Sequence, residues 1–183
     1  GQDLHGATLG IVGCGRIGQA MARPAQGFGM RVLYQDAYVA EADPGLGATR
    51  VDLDTLLAES DFVTLHVPLT EETHHLIGRE ELARCRPTAI LVNTSRGEVV
   101  DPDALYEALR DEQIARAALD VTEPEPLPAE HPLLTLPNCI VVPHIASASV
   151  ATRTKMAVMA AENLLAGLRG EPLPYCANPG VAR

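Results

Sequence analysis

Three side chains able to do ionic or acid–base chemistry each stand at the mouth of a short apolar run. Arg96 lies in AILVNTSRG, Glu125 in AALDVTEPEP and His144 closes CIVVPH. A planar guanidinium binds a carboxylate in a bidentate way, or spans a carboxylate and an adjacent keto oxygen. An imidazole takes or gives a proton near neutral pH, as alcohol-to-ketone interconversion requires. A carboxylate beside an imidazole orients the ring and stabilises the imidazolium. Glu125 could fill that part, and Glu123 is a second candidate. Taken singly, Arg96 could be a surface arginine and His144 a structural histidine at a strand end. Their shared position unites them, because ligands of open α/β sheets bind beyond the carboxyl ends of the strands.

The elements that must position these groups are legible as short buried runs separated by helical patterns. The runs are ATLGIV (7–12), RVLY (31–34), DFVTL (61–65), AILV (89–92), AAL (117–119) and CIVV (139–142), with ATRV (48–51) as a weaker edge strand. This alternation predicts an α/β fold, a doubly wound parallel sheet of six to seven strands with flanking helices. Asp101 before Pro102, and Asp52 before Leu53, read as helix N-caps. A last long helix is predicted over about 150 to 169, with Ala157, Ala161, Leu164, Leu165 and Leu168 as its apolar stripe and Gly170 as its stop. The predicted division is a domain over 1–149, then a C-terminal helix and tail over 150–183. Pro24 falls inside the helix expected after the first strand and predicts a kink or an early end there. The proline-rich segment from Asp120 to Asn138 lacks periodicity and reads as a functional loop.

Gly13-Cys14-Gly15-Arg16-Ile17-Gly18 follows the first run and opens a helical pattern. In a dinucleotide-binding fingerprint the first glycine permits the turn, the second lets backbone approach a pyrophosphate, and the third allows close helix packing. The helix N-terminus then holds the phosphates. An ordinary strand-to-helix turn is the competing reading. The second run leads to Asp36, near the spacing expected for an acid on the adenosine ribose. Gln35, Ala37 and Tyr38 around it include no arginine, so this Rossmann-type reading favours NAD(H) over NADP(H). A solvated loop acid is the alternative for Asp36.

Composition narrows the function classes. The chain has 183 residues, and 14 Lys+Arg against 24 Asp+Glu give a net charge of −10, which disfavours nucleic acid and anionic membranes as partners. No apolar stretch reaches the length of a membrane helix. Cys14, Cys85, Cys139 and Cys176 form no CxxC pair and read as reduced thiols of a cytoplasmic protein. The remaining histidines, His5, His66, His74, His75 and His131, offer no helical HxxxH pair, so no metal is expected. The opening GQDLHGA lacks a secretory pattern and an initiator Met, and reads as the start of a piece cut from a longer chain.

GCGRIG, VNTSRGEVVD, ALDVTEPEPLP and PNCIVVPHIASAS, in that order, resemble the cofactor domain of the D-isomer-specific 2-hydroxyacid dehydrogenases. HPLLTLPN and ENLLAGLRGEPLP look most like the glyoxylate/hydroxypyruvate reductases of that family. The resemblance implies an NADH-dependent reduction of a small 2-oxo acid. In it Arg96 binds the acid, His144 is the general acid/base, and Glu125, rather than Glu123, supports the histidine. It implies further that Asp120 contacts the nicotinamide carboxamide, that Val67 and Pro68 line the adenine side, and that Arg16, Ile17 and Thr94 belong to the cofactor contacts. An Asp capping the loop and a Pro ending a strand are the plain alternatives for Asp120 and Pro68. Ala146 and Pro24 depart from the common pattern.

Family members carry a separate substrate domain, which this chain is expected to lack, and typically form homodimers through the cofactor domain. Formate dehydrogenases of this layout carry Gln where Glu125 stands, which argues against that branch. Dehydrogenases of phosphite, D-lactate or D-glycerate, and NAD-responsive corepressor-like binding modules, remain as alternatives.

Overall fold

The structure, a computed structural model, describes residues 1–180. The last three residues of the predicted tail lie outside the described residues. The chain divides into two compact units, one ending at His144 and the next beginning at Ile145.

The first unit runs β1 (Thr8–Val12), α1 (Arg16–Gly27), β2 (Arg31–Gln35), β3 (Thr49–Arg50), α2 (Leu53–Glu59), β4 (Phe62–Leu65), α3 (Arg79–Arg84), β5 (Ile90–Asn93), α4 (Pro102–Arg110), β6 (Arg116–Leu119) and β7 (Cys139–Val141). All seven strands are parallel and lie in the order β3-β2-β1-β4-β5-β6-β7. This is the predicted Rossmann-type sheet. The chain reverses direction across the sheet between β1 and β4, the point where such folds open a crevice.

Period-two alternation assigns the residues of β1 and β2 to two apolar layers. Leu9 and Ile11, with Val32 and Tyr34, pack with Ala22 and Ala25 of α1. Val12 and Leu33 turn the other way and join Leu56 and Leu57 of α2, Leu82 of α3, and Leu105 and Leu109 of α4. Gly10 is where α2 comes closest, since a Cβ there would run into Leu56 and Ser60.

The predicted caps hold. Asp101 accepts from the amides of Asp103 and Ala104 at the start of α4, and Asp52 accepts from Thr55 at the start of α2. The Thr55 amide thereby holds the Asp52 carboxyl below its usual range. The early end predicted at Pro24 does not occur, because α1 continues to Gly27. Pro24 is exposed while Ala22 and Ala25 anchor the inner face, so water can satisfy the Ala20 carbonyl that the proline leaves without its usual donor.

The Asp120–Asn138 segment is anchored rather than loose. It buries Val121 and Leu133, and Pro132–Thr135 form a 3₁₀ turn.

In the second unit α5 (Val150–Leu168) starts at the Ser149 cap, and Gly170 follows its end with φ +72°, the left-handed stop predicted for it. Asn163 pins the tail, donating to the Tyr175 carbonyl at 3.1 Å and accepting from the Tyr175 amide at 2.9 Å. No helix among the described residues is long and apolar enough to cross a membrane.

Candidate active site

The glycine loop is shaped by three different constraints. Gly13 has φ +92°, a left-handed conformation, and a Cβ on it would sit 2.7 Å from the backbone of His66 and Val67 after β4. A Cβ on Gly18 would strike the Gly13 carbonyl. Gly15 caps α1 without a side-chain hydrogen bond, and a Cβ there would meet nothing of the protein within 4 Å. Protein packing therefore does not require glycine at 15, and the uncapped helix N-terminus beside it is open to an approaching group. These residues fit a dinucleotide pyrophosphate.

Asp36, half-buried, is tied into this loop by its carboxylate. One carboxylate oxygen accepts from the Cys14 amide at 2.7 Å, and the other from the amides of Tyr38 and Val39 at 2.7 and 2.8 Å. The fold also brings up an arginine that the local sequence did not reveal. Arg50, at the end of β3, donates to the Asp36 carbonyl at 3.0 Å and lines the same pocket as Gln35, Asp36 and Asp52.

At the carboxyl ends of β1, β4 and β5 one cleft is lined by Gly15, Arg16, Ile17, Val67, Pro68, Thr94 and Arg96. His66 lines it too, bonded to the Thr64 hydroxyl at 3.1 Å, and burial lowers its imidazole pKa. Arg96 is exposed there and forms no ion pair with any described residue. Its turn is wrapped around Asn93. The buried Asn93 amide donates to the Arg96 carbonyl at 2.8 Å and accepts from the Ser95 amide and hydroxyl at 3.0 and 2.9 Å.

Glu125, His144 and Asp120 line a second pocket, with Thr122, Leu127 and Val142. The pair is formed: His144 Nδ1 lies 2.7 Å from Glu125 Oε1. His144 has φ +52°, a left-handed conformation uncommon outside glycine, and its amide donates to the Asp120 carbonyl at 2.9 Å. Asp120 in turn donates its amide to Asn93 at the end of β5. Glu123, the rival of Glu125, is instead bonded to His75 Nε2 at 2.8 Å.

The structure thus gathers ten of the predicted site residues into two pockets, Arg96 in one and the His144–Glu125 pair in the other. Asn93, Arg50, His66 and His75 were missed as neighbours of the site. Asn93 could have been noticed, because a buried amide at the last position of a strand commonly organises the turn that follows.

The profile of the family described as "D-isomer specific 2-hydroxyacid dehydrogenase, NAD binding domain" matches residues 1–146. The chain belongs to the D-isomer-specific 2-hydroxyacid dehydrogenases. Among relatives of this dehydrogenase domain, a glyoxylate reductase of Korarchaeum cryptofilum is 58% identical over 100% of this chain and 55% of its own length. A glyoxylate/hydroxypyruvate reductase B of Pectobacterium carotovorum is 54% identical, with 100% and 58% covered. The chain therefore spans little more than half the length of these relatives. The crystal structure of D-lactate dehydrogenase with NAD+ from Lactobacillus jensenii superposes with a TM-score of 0.86 at 33% identity, covering 96% of this chain and 57% of that one. A glyoxylate reductase from Paecilomyes thermophila gives 0.83 at 39% identity, with 93% and 52% covered.

Proposed function

We propose that this chain is the cofactor-binding and proton-transfer part of a reductase that converts a small 2-oxo acid, glyoxylate or hydroxypyruvate, to the 2-hydroxy acid. The observation that carries this reading is the His144–Glu125 pair. With Nδ1 held by the carboxylate, Nε2 is left to face a substrate oxygen. Bound NADH supplies the hydride to C2. His144 gives its proton to the forming alkoxide, and Glu125 stabilises the imidazolium before that step. Arg96, a cation without a carboxylate partner among the described residues, binds the substrate carboxylate.

Val67 and Pro68 line the adenine side, Thr94 belongs to the same cofactor contacts, and Asp120 meets the nicotinamide carboxamide. Asp36 receives the ribose hydroxyls and favours NADH over NADPH. The glyoxylate and hydroxypyruvate assignment draws on the names of the most similar relatives. A second domain of a longer cytoplasmic polypeptide encloses the substrate, and the working unit is a homodimer.

The test is NADH oxidation with glyoxylate, hydroxypyruvate and pyruvate, on this chain and on the full reading frame. Turnover with the first two in the full-length protein is the expected result. His144→Gln should lower it by about 10²- to 10⁴-fold while sparing NADH binding. Near-normal turnover in that variant would overturn the mechanism.

A further inference from the structure

Outside the His144–Glu125 pair a second set of groups converges. One ligand-capable atom from each of His74, His75 and Glu123 lies within 4.8 Å of the others. We propose that these three side chains form a binding site for a divalent transition metal, with Zn²⁺ the ion that fits best.

The donor set decides the class of ion. Two imidazoles and one carboxylate, with a position left for water, suit a tetrahedral zinc site, whereas calcium and magnesium require mostly oxygen ligands. Competition from the three thiols of the first unit is weak, since burial raises those of Cys85 and Cys139 to about 11 and that of Cys14 above its usual value. These thiols are protonated at neutral pH, and it is the thiolate that ligates metal.

The site is largely assembled without an ion. His75 Nε2 and Glu123 Oε2 already stand 2.8 Å apart, both only about one-third exposed. His75 is fixed through its main chain, with φ +50° and its amide donating to the Glu98 carbonyl at 2.7 Å. His74 stacks on it, with ring centroids 4.0 Å apart, and its own amide donates to Thr70. Two of three ligands therefore lose little freedom on binding. Ligand atoms of a tetrahedral zinc stand roughly 3.3 Å apart. To reach that spacing the His75–Glu123 pair opens from 2.8 Å and releases the Nε2 proton to solvent, and the exposed His74 ring swings in.

Sequence spacing hid the site, because Glu123 lies 48 residues from His75 and the two histidines are adjacent rather than one helical turn apart. An ion here would tie the segment after β4 to the loop that carries Glu125, two residues beyond Glu123.

Zn²⁺ titrated into the chain, followed by calorimetry and thermal denaturation, tests the site without reference to turnover. One ion per chain and a rise in Tm are expected, as for any ligand selective for the folded state. His74→Ala, at an exposed position, and Glu123→Gln should each weaken binding by on the order of tenfold or more and remove the rise. Co²⁺ in place of zinc should give weak visible bands without a thiolate charge-transfer band. The proposal is overturned by an absence of saturable binding, by unchanged affinity in both variants, or by a thiolate band that places the ion on cysteine.

Discussion

Gly97 and Thr122 meet main chain to main chain, so that a Cβ on Gly97 would overlap the Thr122 carbonyl and stand 2.7 Å from the Glu123 amide nitrogen. Gly97 directly follows Arg96, and Thr122 is three residues before Glu125. The turn holding the cation and the loop holding the carboxylate are therefore placed against each other by backbone, which cannot rotate aside as a side chain can. Gly97→Ala should destabilise the fold by about 1–3 kcal/mol through overpacking. Urea denaturation reads this as a lower midpoint, and an unchanged midpoint would show that the two segments yield.

Asn93 is 1% exposed and makes three hydrogen bonds within the Ser95–Arg96 turn. Asn93→Ala removes three part-buried hydrogen bonds and leaves the Arg96 carbonyl with only the Val99 amide at 3.3 Å, at a cost of about 1–3 kcal/mol. The loss should appear in thermal denaturation and, in the full-length enzyme, as a higher KM for the 2-oxo acid. A KM equal to that of the native protein would remove Asn93 from the positioning of Arg96.

Asp36 and Arg50 predict a linked pair of cofactor effects. Asp36→Ser removes the proposed acceptor for the ribose hydroxyls, so NADH should bind more weakly. It also removes the negative charge beside Arg50, whose bond to the main-chain carbonyl of residue 36 is kept, so NADPH binding should improve. Adding Arg50→Gln should cancel the gain. Fluorescence titration with both nucleotides measures all three proteins, and equal NADH affinity in Asp36→Ser would take Asp36 out of the site.

His66 ties stability to pH. Burial depresses its pKa below the ordinary 6.5, so the folded state keeps the ring neutral where the unfolded chain would protonate it. The unfolded state then binds more protons over that window, and stability rises with pH through it. Stability should decline as pH falls below about 6.5, and His66→Gln should show a shallower decline. Denaturation midpoints at a series of pH values give the comparison.

What the sequence disclosed was local. Each strand was readable because a short apolar run and its bounding turn residues lie together, and Asp101 and Asp52 announced their helices in the same way. The His144–Glu125 pair was readable through the motifs around it. Arg50 was not, because only the pairing of Tyr34 with Arg50 across β2 and β3 sets it beside Asp36. The His75–Glu123 contact and the Gly97–Thr122 approach likewise arise only once β4, β5 and β6 are side by side. The six residues of α3 are too few to show a helical stripe. The early end expected at Pro24 failed because the cost of an interior proline depends on whether its orphaned carbonyl reaches water, which a sequence does not display.

The hydrogen bond from the Cys14 amide to Asp36 links the two ends of the proposed nucleotide site, so they are expected to behave as a single thermodynamic object. A ligand group that draws on the Asp36 carboxylate alters the charge felt by the glycine loop, and one that docks on the loop alters the acceptor strength of Asp36. Reciprocity requires the two effects to be equal. Fragments of the dinucleotide bound at either end would therefore report on each other, and the affinity of the whole would not be the sum of its parts.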